Sequence, residues 1–140
     1  MPESIEGTMQ VGELMKTDVA VVHEDASISE AVIRLADAHV HGVPVVNDRG
    51  RVLGVLSSSD IVEATAERSA TTGRAVLQDL SVRDIMSTPP RIIGPEEDVR
   101  AAARAMLRHD VHRLFVIRDE ELVGVLSTSD IVRAVADDLL

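Results

Sequence analysis

GVLSSSDIVEA (54–64) and GVLSTSDIVRA (124–134) are nearly the same eleven residues, 70 positions apart in a chain of 140. The echo continues upstream: VGELMKT (11–17) is matched by VRDIMST (82–88), and HGVPVVND (41–48) by HRLFVIRD (112–119), both at an offset of 71. The missing position falls in the turn before the second GVL. Two fused copies of one unit predict a pseudo-twofold object with two equivalent clefts. The most repeated stretch is then expected to carry what the unit does.

Each copy reads strand, helix, strand, strand, helix. In the first, Val19–Val22 is a short apolar strand, and Ser27 opens a helix with Glu30 three residues on, a capping box. Ile28, Ala31, Val32, Leu35 and Ala36 follow at helical spacing as one apolar face. Val43–Val46 is a continuous β-branched strand, Asn47–Gly50 a turn, and Val52–Leu56 the next strand. The second helix starts near Ser57–Asp60 and is expected to turn Ile61, Val62 and Ala64 inward. The second copy repeats this: Arg91–Ile93 as the short strand, then a helix from about Asp98 with Val99, Ala102, Ala103, Met106 and Leu107 on one face. Leu114–Ile117 and Leu122–Leu126 are strands, and Ser127–Asp130 opens a last helix running to about Asp138. Repeat 1 is thus set at 8–68, a linker at 69–81 and repeat 2 at 82–138. Ser69–Gly73 is small and polar, and Arg74–Leu80 is expected to form a helical turn.

Composition bounds the chemistry. An apolar fraction of 45% and a charged fraction of 27% suit a globular domain. Each half alone is marginal by surface-to-volume scaling, so the halves are expected to bury apolar faces against each other. With no cysteine, disulfides and thiolate metal sites are excluded. A net charge of −10 repels nucleic acid and anionic lipid. Phe115 is the only aromatic residue, so base-stacking platforms are missing too. MPESIEG at the start is acidic with no apolar h-region, which predicts no signal peptide. No apolar run is long enough to span a bilayer. Cytoplasm is the expected compartment, with no nucleic-acid or membrane partner.

The stretch G-V-L-S-x-S-D lies where a buried strand meets a helix N-terminus. Unpaired N–H groups and the positive dipole end favour an anion there. Ser57 and Ser59, or Ser127 and Ser129, add hydroxyl donors. Asp60 or Asp130 offers a carboxylate that can accept from two neighbouring hydroxyls. Anion donors beside a diol acceptor are what a ribonucleotide phosphate requires. Ser-x-x-Asp at a helix start is equally a capping box that satisfies orphan N–H groups. Residues and spacing leave both readings open.

The order of elements, the M-x-T segment, the H-G-V-P-V-V and H-R-L-F-V-I strands and the doubled G-V-L-S-x-S-D resemble a tandem pair of cystathionine β-synthase (CBS) domains, a Bateman module. The resemblance covers residues 10 to about 137. It implies an α/β fold of two βαββα repeats packed through their sheets about a pseudo-twofold axis, often dimerised. It further implies adenosine nucleotide binding in the clefts between repeats, and regulation of other proteins. The second copy resembles the last repeat of the AMP-activated protein kinase γ subunit, in His112-Arg113-Leu114 and Ser127-x-Ser129-Asp130. By that resemblance Asp130 holds the ribose hydroxyls, while Ser127, Ser129, His112 and Arg113 face the phosphate. Adenine lies near Thr17, Ala20 and Val22. By pseudo-symmetry the second cleft uses Ser57, Ser59, Asp60 and His41, with Thr88 and Arg91 on the base side. The first copy has Gly42 where the second has Arg113, and glycine offers phosphate no bidentate fork. The Asp130 cleft is therefore predicted to bind a charged phosphate better. Pro44 is replaced by Phe115, read as packing.

Other chemistries fare worse. His39-x-His41 and His109-x-x-His112 sit at helix ends without a convincing ligand set, and His39 aligns with Asp110, so the pattern is not duplicated. Helix-end histidines in solvent are the better reading. No nucleophile elbow, P-loop or dinucleotide fingerprint follows a strand. Glu96-Glu97, Glu120-Glu121 and Asp137-Asp138 read as solvated. The expectation is a stand-alone regulatory pair, not an enzyme, homodimeric, requiring no cofactor. It takes AMP, ADP or ATP as ligand (S-adenosylmethionine is not separable from these) and signals in trans to a regulated protein that the sequence does not name. The alternative is a ligand-free dimeric interaction module in which Ser and Asp only cap.

Overall fold

The computed structural model describes residues 8–67 and 79–140. The first repeat gives α1 (Val11–Leu14), β1 (Val22–His23), α2 (Ile28–Ala38), β2 (Gly42–Val46), β3 (Val52–Ser57) and α3 (Ser58–Glu67). The second gives α4 (Val82–Ile85), β4 (Ile92–Ile93), α5 (Val99–His109), β5 (Arg113–Arg118), β6 (Glu121–Ser127) and α6 (Thr128–Ala136). The fold is mixed α/β with two three-stranded sheets, β1-β2-β3 and β4-β5-β6. In each sheet the short strand pairs parallel with the middle one, which pairs antiparallel with the third.

The chain divides into two compact units, and the division does not follow the repeats. One unit is Ala20–Pro90; the other joins the chain up to Val19 to Arg91–Leu140. Each unit therefore takes its leading M-x-T segment and short helix from the other copy. Helix α1 packs on α5, α6 and β6, and α4 packs on α3.

Local signals explain the elements. Ser27 accepts from the Glu30 N–H, and the Glu30 carboxylate accepts in return from the Ser27 N–H, completing the expected capping box. Asp98 caps α5 through the Arg100 N–H. Both helices end on a left-handed residue, His39 (φ 55°) and Asp110 (φ 53°), the two positions that align between copies. Middle strand β2 is buried along its whole length, which is why it reads as a continuous apolar run without alternation. One core gathers Val22, Ile28, Leu35, Val43, Val45 and Leu56; the other gathers Val11, Val99, Met106, Leu114, Val116 and Leu126. Phe115 is buried, as its packing role predicts.

Several expectations are corrected. Val32 and Ala36 on α2, Val62 on α3 and Leu107 on α5 are exposed. Each lies on the flank of its helix, and only the narrower stripe of Ile28, Ala31 and Leu35, or Val99, Ala102 and Met106, is covered. The first strand begins at Val22 rather than Val19, because parallel pairing starts at Val22↔Val45. The single turns α1 and α4 were not expected. Such short helices are poor nuclei in isolation, but the Glu13 and Asp84 carboxylates accept the Gln10 and Ser81 N–H groups, and Val11 and Val82 are fully buried. Residues 68–78, which hold most of the expected linker and helical turn, lie outside the described residues.

Candidate functional site

At the end of β6 the chain turns directly into α6, and Ser127 is the cap. Its hydroxyl accepts from the Asp130 N–H at 3.2 Å, while Asp130 Oδ2 accepts from the Ser127 N–H at 2.9 Å and hydroxyl at 3.0 Å. The capping reading is thus realised in full. The Thr128 N–H donates to the His112 carbonyl at 2.9 Å. Among the described residues this leaves the Ser129 N–H as the open amide of the turn, beside the exposed Ser129 hydroxyl. The helix start therefore offers fewer open donors than the row of free N–H groups expected from the sequence. Arg113 stands directly across from Ser127 in the antiparallel register. Opposed residues share a sheet face, so its guanidinium belongs to the same side. Partial burial lowers the Arg113 pKa from its usual value, and it stays cationic at neutral pH.

The leading segment of the first copy crosses this junction. Lys16 and Val125 exchange two backbone hydrogen bonds of 2.9 Å. Gly124 is what allows the approach: a Cβ there would meet the Lys16 carbonyl oxygen at 2.8 Å and Met15 Sδ at 2.5 Å. The crossing brings Lys16 Nζ to 2.6 Å from Asp130 Oδ1, with Arg133 Nη1 at 3.3 Å from the same oxygen. Asp130 is 1% exposed and Lys16 56%. Burial raises the Asp130 pKa, but the Lys16 ammonium and the Ser127 donors outweigh it and hold the carboxyl below its ordinary range.

The other unit repeats the frame with different charges. Asp60 Oδ2 accepts from the Ser57 N–H and hydroxyl, and the Ser58 N–H donates to the His41 carbonyl. Ser87 and Val55 exchange two backbone hydrogen bonds, and a Cβ on Gly54 would meet the Ser87 carbonyl oxygen at 2.6 Å. Here the residue aligned with Lys16 is Ser87, whose hydroxyl donates to Asp60 Oδ1 at 2.7 Å. Gly42 opposes Ser57 where Arg113 opposes Ser127. Glu63 aligns with Arg133. The Asp130 junction thus carries three cations, and the aligned positions at Asp60 carry none.

Of the sequence-predicted residues, Asp130, Ser127, Ser129, His112, Arg113 and Thr17 fall in one unit, together with Arg91, whose carbonyl accepts from the Phe115 N–H. Asp60, Ser57, Ser59, His41 and Thr88 fall in the other, with Ala20 and Val22. Lys16 and Arg133 were missed. Their signal was the places where the copies differ: VGELMKT against VRDIMST, and IVEA against IVRA. Among the described residues no group of three or more His, Asp and Glu could hold a metal ion, and no helix is long and apolar enough to cross a membrane.

The model of the CBS domain matches residues 11–67 and again 82–137. The chain belongs to the CBS domain family. Among solved CBS structures, that of CBSX2 in complex with AMP superposes with a TM-score of 0.76 at 29% identity, covering 92% of this chain and 97% of that one. The uncharacterized protein MJ1225 of Methanocaldococcus jannaschii is 27% identical over 128 residues, 91% of this chain and 43% of its own length. The γ-3 subunit of 5'-AMP-activated protein kinase from Sus scrofa is 32% identical over 124 residues, 84% of this chain and 24% of its own. The chain therefore spans less than half of either of these two relatives.

Proposed function

We propose that this CBS pair is a regulatory module that binds an adenosine nucleotide at its strand-to-helix junctions and passes the bound state to a second protein. The observation that carries this is the Asp130 junction: a buried, ionised carboxylate beside one open helix N–H, the Ser129 hydroxyl and the Arg113 guanidinium. The carboxylate suits the ribose diol, and the donors suit the phosphate. Each junction draws on both repeats, so a ligand there would tie the leading segment of one copy to the helix of the other. A ligand shifts such an arrangement only by its differential affinity for two states. The AMP complex of CBSX2 and the kinase γ subunit relative support adenine nucleotide as the ligand class. The three cations favour phosphate at Asp130 over Asp60. Exposed Val132, Val135 and Leu139 at the end of the chain support a homodimer. The module works without catalysis, and the cytoplasm is its place.

The test is thermal unfolding by circular dichroism with AMP, ADP, ATP and S-adenosylmethionine. A ligand at about 100 times its dissociation constant stabilises by roughly 2.7 kcal/mol, a rise of roughly 5–10 °C. No rise with any of them at millimolar concentration would reduce Ser-x-Ser-Asp to a cap and leave the ligand-free interaction module as the reading.

A further inference from the structure

We infer that Lys16 is the selectivity element of the Asp130 site, and that it makes ribose binding conditional on a phosphate; this rests on the nucleotide reading above. Both carboxylate oxygens of Asp130 are engaged: Oδ2 by the Ser127 N–H and hydroxyl, Oδ1 by the Lys16 ammonium and, more distantly, Arg133. A ribose diol can reach the carboxylate only by displacing one of these donors, and on Oδ1 the Lys16 ammonium makes the shorter contact. A nucleoside without phosphate would replace an ion pair by hydrogen bonds from neutral hydroxyls and leave the ammonium without a counterion. A nucleoside monophosphate supplies a new anion near the open Ser129 N–H. The Lys16 side chain is more than half exposed on a flexible stem, free to swing from carboxylate to phosphate. At the other site the aligned donor is the neutral Ser87 hydroxyl, which a diol can displace without stranding a charge.

The experiment is calorimetric titration of AMP and adenosine in an Asp60→Asn background, which leaves the Asp130 site intact. The expected result is that AMP binds at least about ten-fold tighter than adenosine. Lys16→Ser, which installs the residue found at the aligned position, should reduce that ratio about ten-fold, chiefly by tightening adenosine. Lys16→Arg, which keeps the charge, should preserve most of it. An unchanged ratio in Lys16→Ser, or equal binding of the two ligands without either change, would overturn the role of Lys16 while leaving nucleotide binding in place. Binding of neither ligand by any of the proteins would overturn the nucleotide reading, and this inference with it.

Discussion

Lys16 and Asp130, 114 residues apart in sequence, form a 2.6 Å ion pair whose acid is buried and whose base is half in solvent. The aligned pair in the other unit, Ser87 and Asp60, makes a 2.7 Å neutral-to-charged hydrogen bond instead. One frame therefore holds two electrostatically different junctions. Removing the Lys16 ammonium leaves Asp130 Oδ1 with only the longer Arg133 contact. Solvent screens part of the loss, so Lys16→Ala is expected to destabilise by about 1–2 kcal/mol, somewhat less than the roughly 1.5–3 kcal/mol of an unscreened hydrogen bond to a charged group. Ser87→Ala should cost less. Urea unfolding of the two variants side by side checks the order.

Stability should depend on pH through Asp130. Its pKa is lowered in the folded state and sits near the ordinary 3.9 or so when unfolded. The unfolded chain then binds the proton more readily, so this contribution is fully present above the unfolded value and is lost as pH falls through the folded one. Asp130→Asn should flatten that part of the curve. Unfolding free energies from pH 7 down into the acid range, for wild type and variant, show whether it does.

Arg113→Ala should weaken AMP binding about ten-fold or more, since a hydrogen bond to a charged group contributes about 1.5–3 kcal/mol. Gly42→Arg should raise affinity at the other site. If Arg113→Ala leaves calorimetric AMP affinity unchanged, the guanidinium does not face the phosphate.

Gly124→Ala and Gly54→Ala place a methyl group against the carbonyl oxygens of Lys16 and Ser87. Backbone has to move in each, and overpacking of this kind costs about 1–3 kcal/mol. Gly50→Ala, at φ 77° in an open turn with nothing within 4 Å, tests backbone strain alone. Differential scanning calorimetry of the three should show lowered Tm in all, and only the first two should also disturb the Lys16 or Ser87 crossing, read by amide NMR shifts of Val125 and Val55.

Much of this was legible because the chain states it twice. The capping box at Ser27, the helix start near Asp98, the strand over Val43–Val46 and the Ser-x-Ser-Asp junctions are local signals, each written within a few residues. What stayed hidden is non-local. Nothing within VGELMKT says that Lys16 ends beside Asp130, because the pairing is set by a backbone crossing with β6. The glycine of each GVL was the trace of that crossing, a residue kept small by a neighbour from elsewhere in the chain. Helix width misled as well: Val32, Val62 and Leu107 obey helical spacing, but each lies outside the stripe that its sheet covers.

The assignment of each leading segment to the other copy's unit has a consequence for how such a chain arises. A single ancestral repeat could not complete itself; it would lend its M-x-T segment to a twin and borrow one back, as in a domain-swapped dimer. Tandem fusion turns that bimolecular loan into an intramolecular one, with the partner held at high effective concentration. Once fused, the two halves no longer share one sequence. Lysine could then appear at position 16 while serine stands at 87, a difference that two identical chains could never acquire.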